Sequence, residues 1–490
     1  MRPGTGSPTG APAGEAHVGE ECGVFGIYAG SDGSADVAYA AYNGLLALQH
    51  RGQESCGIAV NDRGVISYSK GMGLVAEVFG HETLDRLKGR MAVGHVRYST
   101  SGASVRENAQ PLVMRYIKGT LAIAHNGNLT NAYELHQALA RQGCIFQTTI
   151  DTEVVAYLIA RERVEAPSIE EAVRRAMPKI HGAYSMVVMS PQKLMAVRDP
   201  HGFRPLCIGR MGGSWVFASE TCALDACGAE FVRDVLPGEI VVAGPDGLRS
   251  IRDPVAVKKS LCVFEYIYFA RTDSVIDGVS VYEARKRAGR LLARQKPVEA
   301  DMVVGVPESG IDAAIGYGEE SGIPFQKGIV RNAYIGRTFI KPDQSERERS
   351  VRIKLNALSS AVRGKRVVLL DDSIVRGTTS ARIVSMLKDC GAKEVHLRIS
   401  SPPFLWPCYF GTDIPSKEDL IACRHSVEEI GRLSYADSID FLRLENLPKI
   451  LGRGCGGFCD ACFSGKYPAE IPDYLVAQKD YDYCTPIQRL

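Results

Sequence analysis

Apolar residues in the first half of the chain come in short runs with strand spacing. Residues 22–29 (CGVFGIYA), 56–60 (CGIAV), 91–99 (MAVGHVRYS), 121–127 (LAIAHNG), 184–190 (YSMVVMS) and 193–199 (KLMAVRD) are bounded by Gly, Asn, Pro or Asp, which predicts β-strands. Apolar residues at helical spacing occupy 35–50 and 168–180, so helices are interspersed. A turn-rich, charged connection runs from Gly244-Pro245-Asp246-Gly247 to Asp253-Pro254 and predicts the end of this block near residue 252. The pattern then changes. ADMVVGVP (300–307), PFQKGIV (324–330), KRVVLLDDS (365–373) and EVHLRISS (394–401) are apolar strand candidates with helical patterns between several of them, as at 377–390. That alternation predicts an α/β unit with parallel strands over 253–475.

The two ends of the chain look different. Residues 1–21 are rich in Gly, Pro, Ala, Ser and Thr and hold no sizeable apolar run. They cannot bury enough surface to offset the entropy of ordering. No charged start followed by an apolar stretch is present, so they do not read as a signal peptide. Residues 476–490 are rich in Tyr and Asp and have no assigned role. At 490 residues, 45% hydrophobic and 23% charged, the chain has the composition of a globular protein of two to three domains. A net charge of +2 gives no bulk attraction to nucleic acid or membrane. No apolar run reaches the ~18 residues a membrane span needs. Fourteen cysteines without an export signal point to reduced thiols, catalysis or metal in a cytoplasmic setting, rather than to disulfides.

The boundary between the disposable start and the folded remainder falls at Glu20-Glu21-Cys22-Gly23. If Cys22 becomes the first residue, it carries a thiol and a free α-amine. That amine titrates near ~8 and serves as the thiol's own base, directly or through water. Three polar clusters follow at the ends of strand-like runs: Gly94-His95-Val96-Arg97-Tyr98-Ser99-Thr100, His125-Asn126-Gly127-Asn128 and Ile150-Asp151-Thr152-Glu153. Singly, they read as a surface cation, a turn and a helix N-cap. In this order after a cysteine start, they resemble the class II, N-terminal nucleophile glutamine amidotransferases. The resemblance implies an αββα sandwich over 22–252 with residues 1–21 as a propeptide. It also implies roles. Cys22 attacks the glutamine side-chain amide, Arg97 clamps the α-carboxylate and Asp151 holds the α-ammonium. The Asn126 amide and the Gly127 N–H form an oxyanion hole. His95 and His125 are expected to be structural.

The strongest motif lies at 367–380. An apolar strand runs into Asp371-Asp372, then into Ser373-Ile374-Val375-Arg376-Gly377-Thr378-Thr379-Ser380 and a helix. Adjacent carboxylates at a strand end suit ribose hydroxyls, directly or through Mg²⁺. The small-residue turn offers N–H groups at a helix N-terminus, which suits a phosphate. The P-loop pattern is absent. The stretch is similar to the signature of type I phosphoribosyltransferases, which use 5-phosphoribosyl-1-pyrophosphate (PRPP). By that resemblance Asp371 and Asp372 bind the ribose hydroxyls. Ser373, Gly377, Thr378, Thr379 and Ser380 cradle the 5-phosphate, and Ser309, after Val306-Pro307-Glu308, joins the two aspartates around one Mg²⁺. Residues 331–352 are long, polar and rich in Arg and Lys. Such a loop is either disordered or a lid; the resemblance implies a lid that closes over pyrophosphate, with Arg331, Arg337 and Arg352 contacting it.

Both constellations, in this order, resemble the amidophosphoribosyltransferase family over nearly all of 22–475. The resemblance implies that glutamine, PRPP and water give 5-phosphoribosylamine, glutamate and pyrophosphate, the first committed step of purine synthesis. It also implies purine nucleotide inhibitors and a homotetramer. Two other readings stand against it: another class II amidotransferase, and a regulator that uses a phosphoribosyltransferase fold to sense nucleotide. Cys262, Cys408, Cys459 and Cys462 form a further constellation around the Cys459-Asp460-Ala461-Cys462 pair. Spacing alone leaves a [4Fe–4S] cluster and Zn²⁺ both open, and Cys455 lies nearby. The local sequences resemble the iron–sulfur, propeptide-containing branch of the family. That implies one structural [4Fe–4S] cluster per subunit.

Overall fold

The computed structural model describes residues 22–30, 35–98, 103–253, 257–332, 355–412, 414, 416–452 and 456–477. Residues 1–21, Arg337, Arg352, Cys455 and the final residues from 478 lie outside that set. The strands of the first block are β1 (Gly23–Tyr28), β2 (Ser55–Asp62), β3 (Val65–Met72), β4 (Met91–Arg97), β5 (Leu112–Tyr116), β6 (Gly119–Leu129), β7 (Gly182–Met189), β8 (Leu194–Arg198), β9 (Cys207–Met211), β10 (Ser214–Ala218), β11 (Glu230–Asp234), β12 (Glu239–Gly244) and β13 (Gly247–Arg252). They build a seven-stranded sheet, order β11-β9-β10-β1-β4-β2-β3, and a six-stranded sheet, order β13-β12-β8-β7-β6-β5.

Period-2 alternation explains the layering. On β1, Val24 joins Val93, Ala124, Val187 and Phe217 in the core between the sheets. Its neighbours Phe25 and Ile27 turn the other way, onto Leu45 of the helix Val37–Ala47. Asp36 caps that helix by accepting from the Ala38 and Tyr39 amides. On the outer face of the second sheet, Ile123, Met186 and Val188 pack on Val155, Ile159 and Val173, from the helices Asp151–Glu165 and Ile169–Ala176. The result is helix, sheet, sheet, helix. Gly244 to Gly247 closes the β12–β13 hairpin, so this turn is internal to the sheet and not a linker. The helical pattern at 168–180 is shorter as an α-helix, because Met177–Lys179 tightens into a 3₁₀ turn at Pro178.

The second block contains a four-stranded sheet of Met302–Gly305, Arg366–Asp371, Glu394–Ile399 and Ser438–Phe441, in that spatial order. All three strand pairs are parallel. Val368 and Leu370 face one side with Ala288, Leu292, Ala314 and Tyr317. Val367 and Leu369 face the other with Ile383, Val384 and Leu387. Helices therefore cover both faces, as parallel sheets require. The run PFQKGIV does not form a strand of this sheet. Phe325 makes a single parallel bridge to Val303, and Ile329–Arg331 pairs antiparallel with Leu355–Ala357. Ser438–Phe441 takes up the opposite edge, beside Glu394–Ile399. At four residues it is too short to stand out by alternation. At the C-terminal end, the helix Asp473–Ala477 extends two residues past the expected boundary at 475. It returns to the first block, where the Tyr474 hydroxyl donates to the Thr130 carbonyl at 2.8 Å and to Glu134 at 2.6 Å.

Candidate active sites

The residues singled out in the first block meet at one end of its two sheets. Cys22 immediately precedes β1, and Gly23 pairs with Val96, so Arg97 at the end of β4 comes alongside Cys22. Asn126 and Gly127 arrive late in β6 of the facing sheet. Asp151 is the first residue of the helix that covers it. The Cys22 thiol donates to the Tyr98 carbonyl at 3.4 Å, and its own carbonyl accepts from Arg51 Nε at 3.0 Å.

The strand geometry leaves donors along the edge of β6. Tyr184 opposite Gly127 spends its own N–H and carbonyl on Asp199, so Gly127 faces away from β7. The strand β5 stops pairing at Ile123. Beyond that point, side chains take the amides of the exposed edge. The His125 N–H donates to Gln110 at 2.9 Å and the Leu129 N–H to Asp151 at 3.0 Å. Alternation directs the Gly127 N–H to the same edge, between those two. Asn126 Nδ2 is buried and has no hydrogen-bond partner among the described residues. An orphaned buried donor of this kind is costly.

Charges around the site are arranged by burial. Burial pulls the Arg97 guanidinium down and the nearby Cys22, Glu54 and Asp151 push it back up. Glu54 is 4.0 Å away and Ala103 O accepts from Nη1 at 3.2 Å. Burial raises Asp151, but the contact with His125 and the amides of Leu129 and Thr152 outweigh it, so its carboxyl lies below the usual range and stays ionised. His95 is pushed down to about 3 by burial. With Nε2 on the His125 carbonyl at 2.9 Å, it is a neutral structural ring. His125 likewise braces Thr152 and Asp151.

Burial, ahead of the opposing Tyr98 bond and Arg97 charge, pushes the Cys22 thiol up to about 11. A raised pKa keeps the thiol protonated at neutral pH, and reactivity rises with pH until the thiolate saturates. Alkylation of Cys22 by iodoacetamide, read by peptide mass mapping, is therefore expected to rise about tenfold per pH unit up to pH ~11 in protein that keeps residues 1–21. Protein that starts at Cys22 is expected to level off at lower pH, because an α-ammonium then stands beside the sulfur. Identical profiles would contradict the coupling between amine and thiol.

In the second block, Asp371 closes the strand Arg366–Asp371 and Asp372 follows it. Both are buried. Asp372 accepts from Ser309, the residue before the helix Gly310–Ser321, and from Ser373 Oγ at 2.5 Å. Burial and mutual repulsion push Asp371 well above the carboxylate range, and burial raises Asp372, with Arg285 opposing. Gly377, with φ +84, turns the chain into the helix Thr378–Asp389. That left-handed turn is open to glycine at little cost. Thr378, Thr379 and Ser380 form the helix's first turn, with Thr378 exposed and Ser380 buried. Arg331, at the end of its short strand, has a buried Nε with no hydrogen-bond partner among the described residues. Tyr268 was not among the expected site residues. Its hydroxyl is raised by burial and by Asp372, Asp371 and Tyr98, so it lies in electrostatic reach of both centres. Arg51 was also missed. It is fully buried, pairs with Glu220 at 2.6 Å and Glu265 at 2.7 Å, and so ties the Cys22 carbonyl to the second block.

Cys262, Cys408, Cys459 and Cys462 line one cavity with Phe203, Phe264, Phe410 and Tyr467. Cys262 and Cys459 pair on two short parallel strands. Burial lifts Cys459 to about 12. Burial and the other three thiols lift Cys462 well above the thiol range. Four thiols lining one cavity are the donor set that zinc or an iron–sulfur cluster takes. Among the described residues no three metal-ligating side chains converge on a single ion position.

Residues 95–226 match the family model for a glutamine amidotransferase domain. A curated amidophosphoribosyltransferase of Archaeoglobus fulgidus is 51% identical over 453 residues, covering 92% of this chain and 98% of the relative. The chain belongs to the amidophosphoribosyltransferase family. An amidophosphoribosyltransferase of Bacillus subtilis is 50% identical over 460 residues, covering 93% of this chain and 95% of that one. The solved B. subtilis glutamine PRPP amidotransferase complexed with ADP and GMP superposes with a TM-score of 0.85 at 49% identity, covering 92% and 98% of the two chains. An amidophosphoribosyltransferase is a pentosyltransferase that aminates PRPP with nitrogen from glutamine at the first step of purine biosynthesis, and the fold is the two-domain one of that family. Among the described residues no helix is long and apolar enough to cross a membrane.

Proposed function

We propose that the two centres divide the amidophosphoribosyltransferase reaction between the domains 22–252 and 253–475. The Cys22 thiolate attacks the side-chain amide of glutamine, whose α-carboxylate lies on Arg97 and α-ammonium on Asp151. Negative charge on the tetrahedral oxygen is taken by Asn126 Nδ2 and the Gly127 N–H. Ammonia leaves, and water hydrolyses the γ-glutamyl thioester to glutamate. The buried Asn126 amide, without a hydrogen-bond partner among the described residues, is the observation that carries this assignment. Loss of one such donor typically costs ~3–4 kcal/mol of barrier.

At the second centre, Asp371 and Asp372 take the ribose hydroxyls. Ser373, Gly377, Thr378, Thr379 and Ser380 take the 5-phosphate at the helix N-terminus. Ammonia attacks C1 of the ribose as pyrophosphate departs. Two raised, adjacent carboxylates with Ser309 beside them form a site for Mg²⁺. When bound, Mg²⁺ neutralises charge on the aspartates and the leaving group. Arg331 contacts the pyrophosphate, as do Arg337 and Arg352 from outside the described residues. Tyr268 marks the line along which nitrogen passes between the centres. PRPP-dependent glutamate release tests the whole scheme: strong stimulation by PRPP is expected, and none would favour a different amidotransferase or a sensor.

The cysteine cavity takes a [4Fe–4S] cluster. A single Zn²⁺, with bonds of about 2.3 Å, needs four sulfurs on one point. A cluster accepts one thiolate at each iron, which suits sulfurs spread around a shared cavity. When bound, it would tie Cys262, Cys408, Cys459 and Cys462 together within the second domain, with Phe203 and Arg204 of the first lining the same cavity. Iron and acid-labile sulfide in equimolar amounts, lost in Cys459→Ser together with thermal stability, are expected; stoichiometric zinc would overturn the assignment. Residues 1–21 are a propeptide, so an intact mass starting at Cys22 is expected for active enzyme. Purine nucleotides inhibit, as the ADP and GMP complex of the B. subtilis relative suggests. The enzyme works in the cytoplasm as a homotetramer.

A further inference from the structure

Gly127, the expected oxyanion donor, is closed in from two sides. Its φ is +140, and a Cβ there would stand 2.1 Å from the Ala183 carbonyl oxygen. Its other side is covered by Gly411 of the second domain. A Cβ at Gly411 would come within 3.1 Å of the Gly127 carbonyl carbon and 3.2 Å of its Cα. The next residue, Asn128, donates from Nδ2 to the Tyr409 carbonyl at 3.0 Å. Residues 409–412 thus grip the end of β6 through one hydrogen bond and one backbone-to-backbone contact.

This segment is itself held from the first domain. Arg204, fully buried, donates from Nη2 to the Phe410 carbonyl at 2.6 Å and to Thr412 Oγ1 at 3.2 Å. Phe203 stacks on Phe410 with centroids 4.2 Å apart. A brace of this kind restrains a peptide plane, and electrostatic catalysis depends on donors held in place.

We propose that Tyr409–Gly411 is a positioning element for glutamine hydrolysis: the second domain sets the orientation of the Gly127 peptide, and through it the stability of the tetrahedral oxyanion. The inference rests on Cys22 as nucleophile and Asn126 and Gly127 as oxyanion donors. It predicts a loss in the transition state and not in substrate binding. Neither Gly411 nor Asn128 is among the residues assigned to glutamine.

Glutamate γ-semialdehyde separates the two. The Cys22 sulfur adds to its aldehyde carbon, the carbonyl electron pair moves to oxygen, and the thiol proton ends on that oxygen, giving a tetrahedral hemithioacetal. Glutamate binds the same pocket without forming that bond. In Gly411→Ala, affinity for the semialdehyde and kcat for glutamine are expected to fall tenfold or more. Glutamate affinity and ammonia-dependent synthesis are expected to stay within twofold. Asn128→Ala, which alters no backbone torsion, is expected to give the same pattern at threefold or more and covers the case where Gly411→Ala fails to fold. Semialdehyde binding unchanged in both variants would overturn the proposal, as would equal loss of glutamate affinity or of ammonia-dependent activity. Failure of the unaltered enzyme to bind the semialdehyde would instead overturn the underlying assignment of Cys22.

Discussion

Cys22→Ala is expected to abolish synthesis of phosphoribosylamine from glutamine and to spare synthesis from ammonia. The loss with glutamine is expected to be about four orders of magnitude or more, because no other group near Asn126 and Gly127 can form the thioester. The thiol lies at the start of β1, against Tyr98 and Arg97. The twin aspartates end a strand of a different sheet in the other domain. Supplying ammonia directly, at a pH near 8.5 where more of it is unprotonated, bypasses the first centre. The measurement is product formation with each nitrogen donor at saturating PRPP. A comparable fall with both donors would contradict the division of labour.

Asp371→Asn and Asp372→Asn are expected to have the opposite signature. Each loses PRPP-dependent synthesis with either nitrogen donor, while basal glutamine hydrolysis persists. A charge-assisted hydrogen bond to a substrate hydroxyl is worth about 1.5–3 kcal/mol, so a loss of roughly 10- to 100-fold is expected from each. Stability supplies an independent check. Both carboxyls are raised in the fold, so the native state binds more protons than the unfolded chain, and stability falls as pH rises from the ordinary carboxylate range toward the raised values. The double Asn variant, without Mg²⁺, is therefore expected to melt above the parent at pH 8. The difference shrinks toward acid, where the parent's carboxyls are neutral. A double variant that melts lower at pH 8 would contradict the picture of repelling, uncompensated carboxylates.

Much of this was legible because strand and motif coincide in the chain. The runs at 91–99, 121–127 and 367–372 are apolar and end in the polar residues they deliver, and the run at 22–29 starts with the cysteine it delivers. A β-strand presents its ends at an edge of its sheet, so the sequence positions of Arg97, Asn126 and Asp371 already placed each at the rim of its own sheet. Arg51 gave no such signal. It sits past the end of the helix Val37–Ala47 in Gln49-His50-Arg51-Gly52, and reads as an ordinary surface cation until Glu220 and Glu265 enclose it. PFQKGIV misled because its apolar content is that of a strand. Yet Pro324 lacks a donor, and the run touches the parallel sheet at one bridge only.

Local chemistry was determined by the sequence alone: which residues carry thiol, guanidinium, amide and paired carboxylates, and which strands they terminate. Alternation at period two settled which residues of a strand share a face, and that needs no partner to be known. The tertiary structure decided what lies against each group. It left the Asn126 amide without a partner, buried the Cys22 thiol so that it resists ionisation, and set Gly411 of one domain on Gly127 of the other. These depend on contacts between residues hundreds of positions apart, and on the desolvation those contacts impose, which no local pattern encodes.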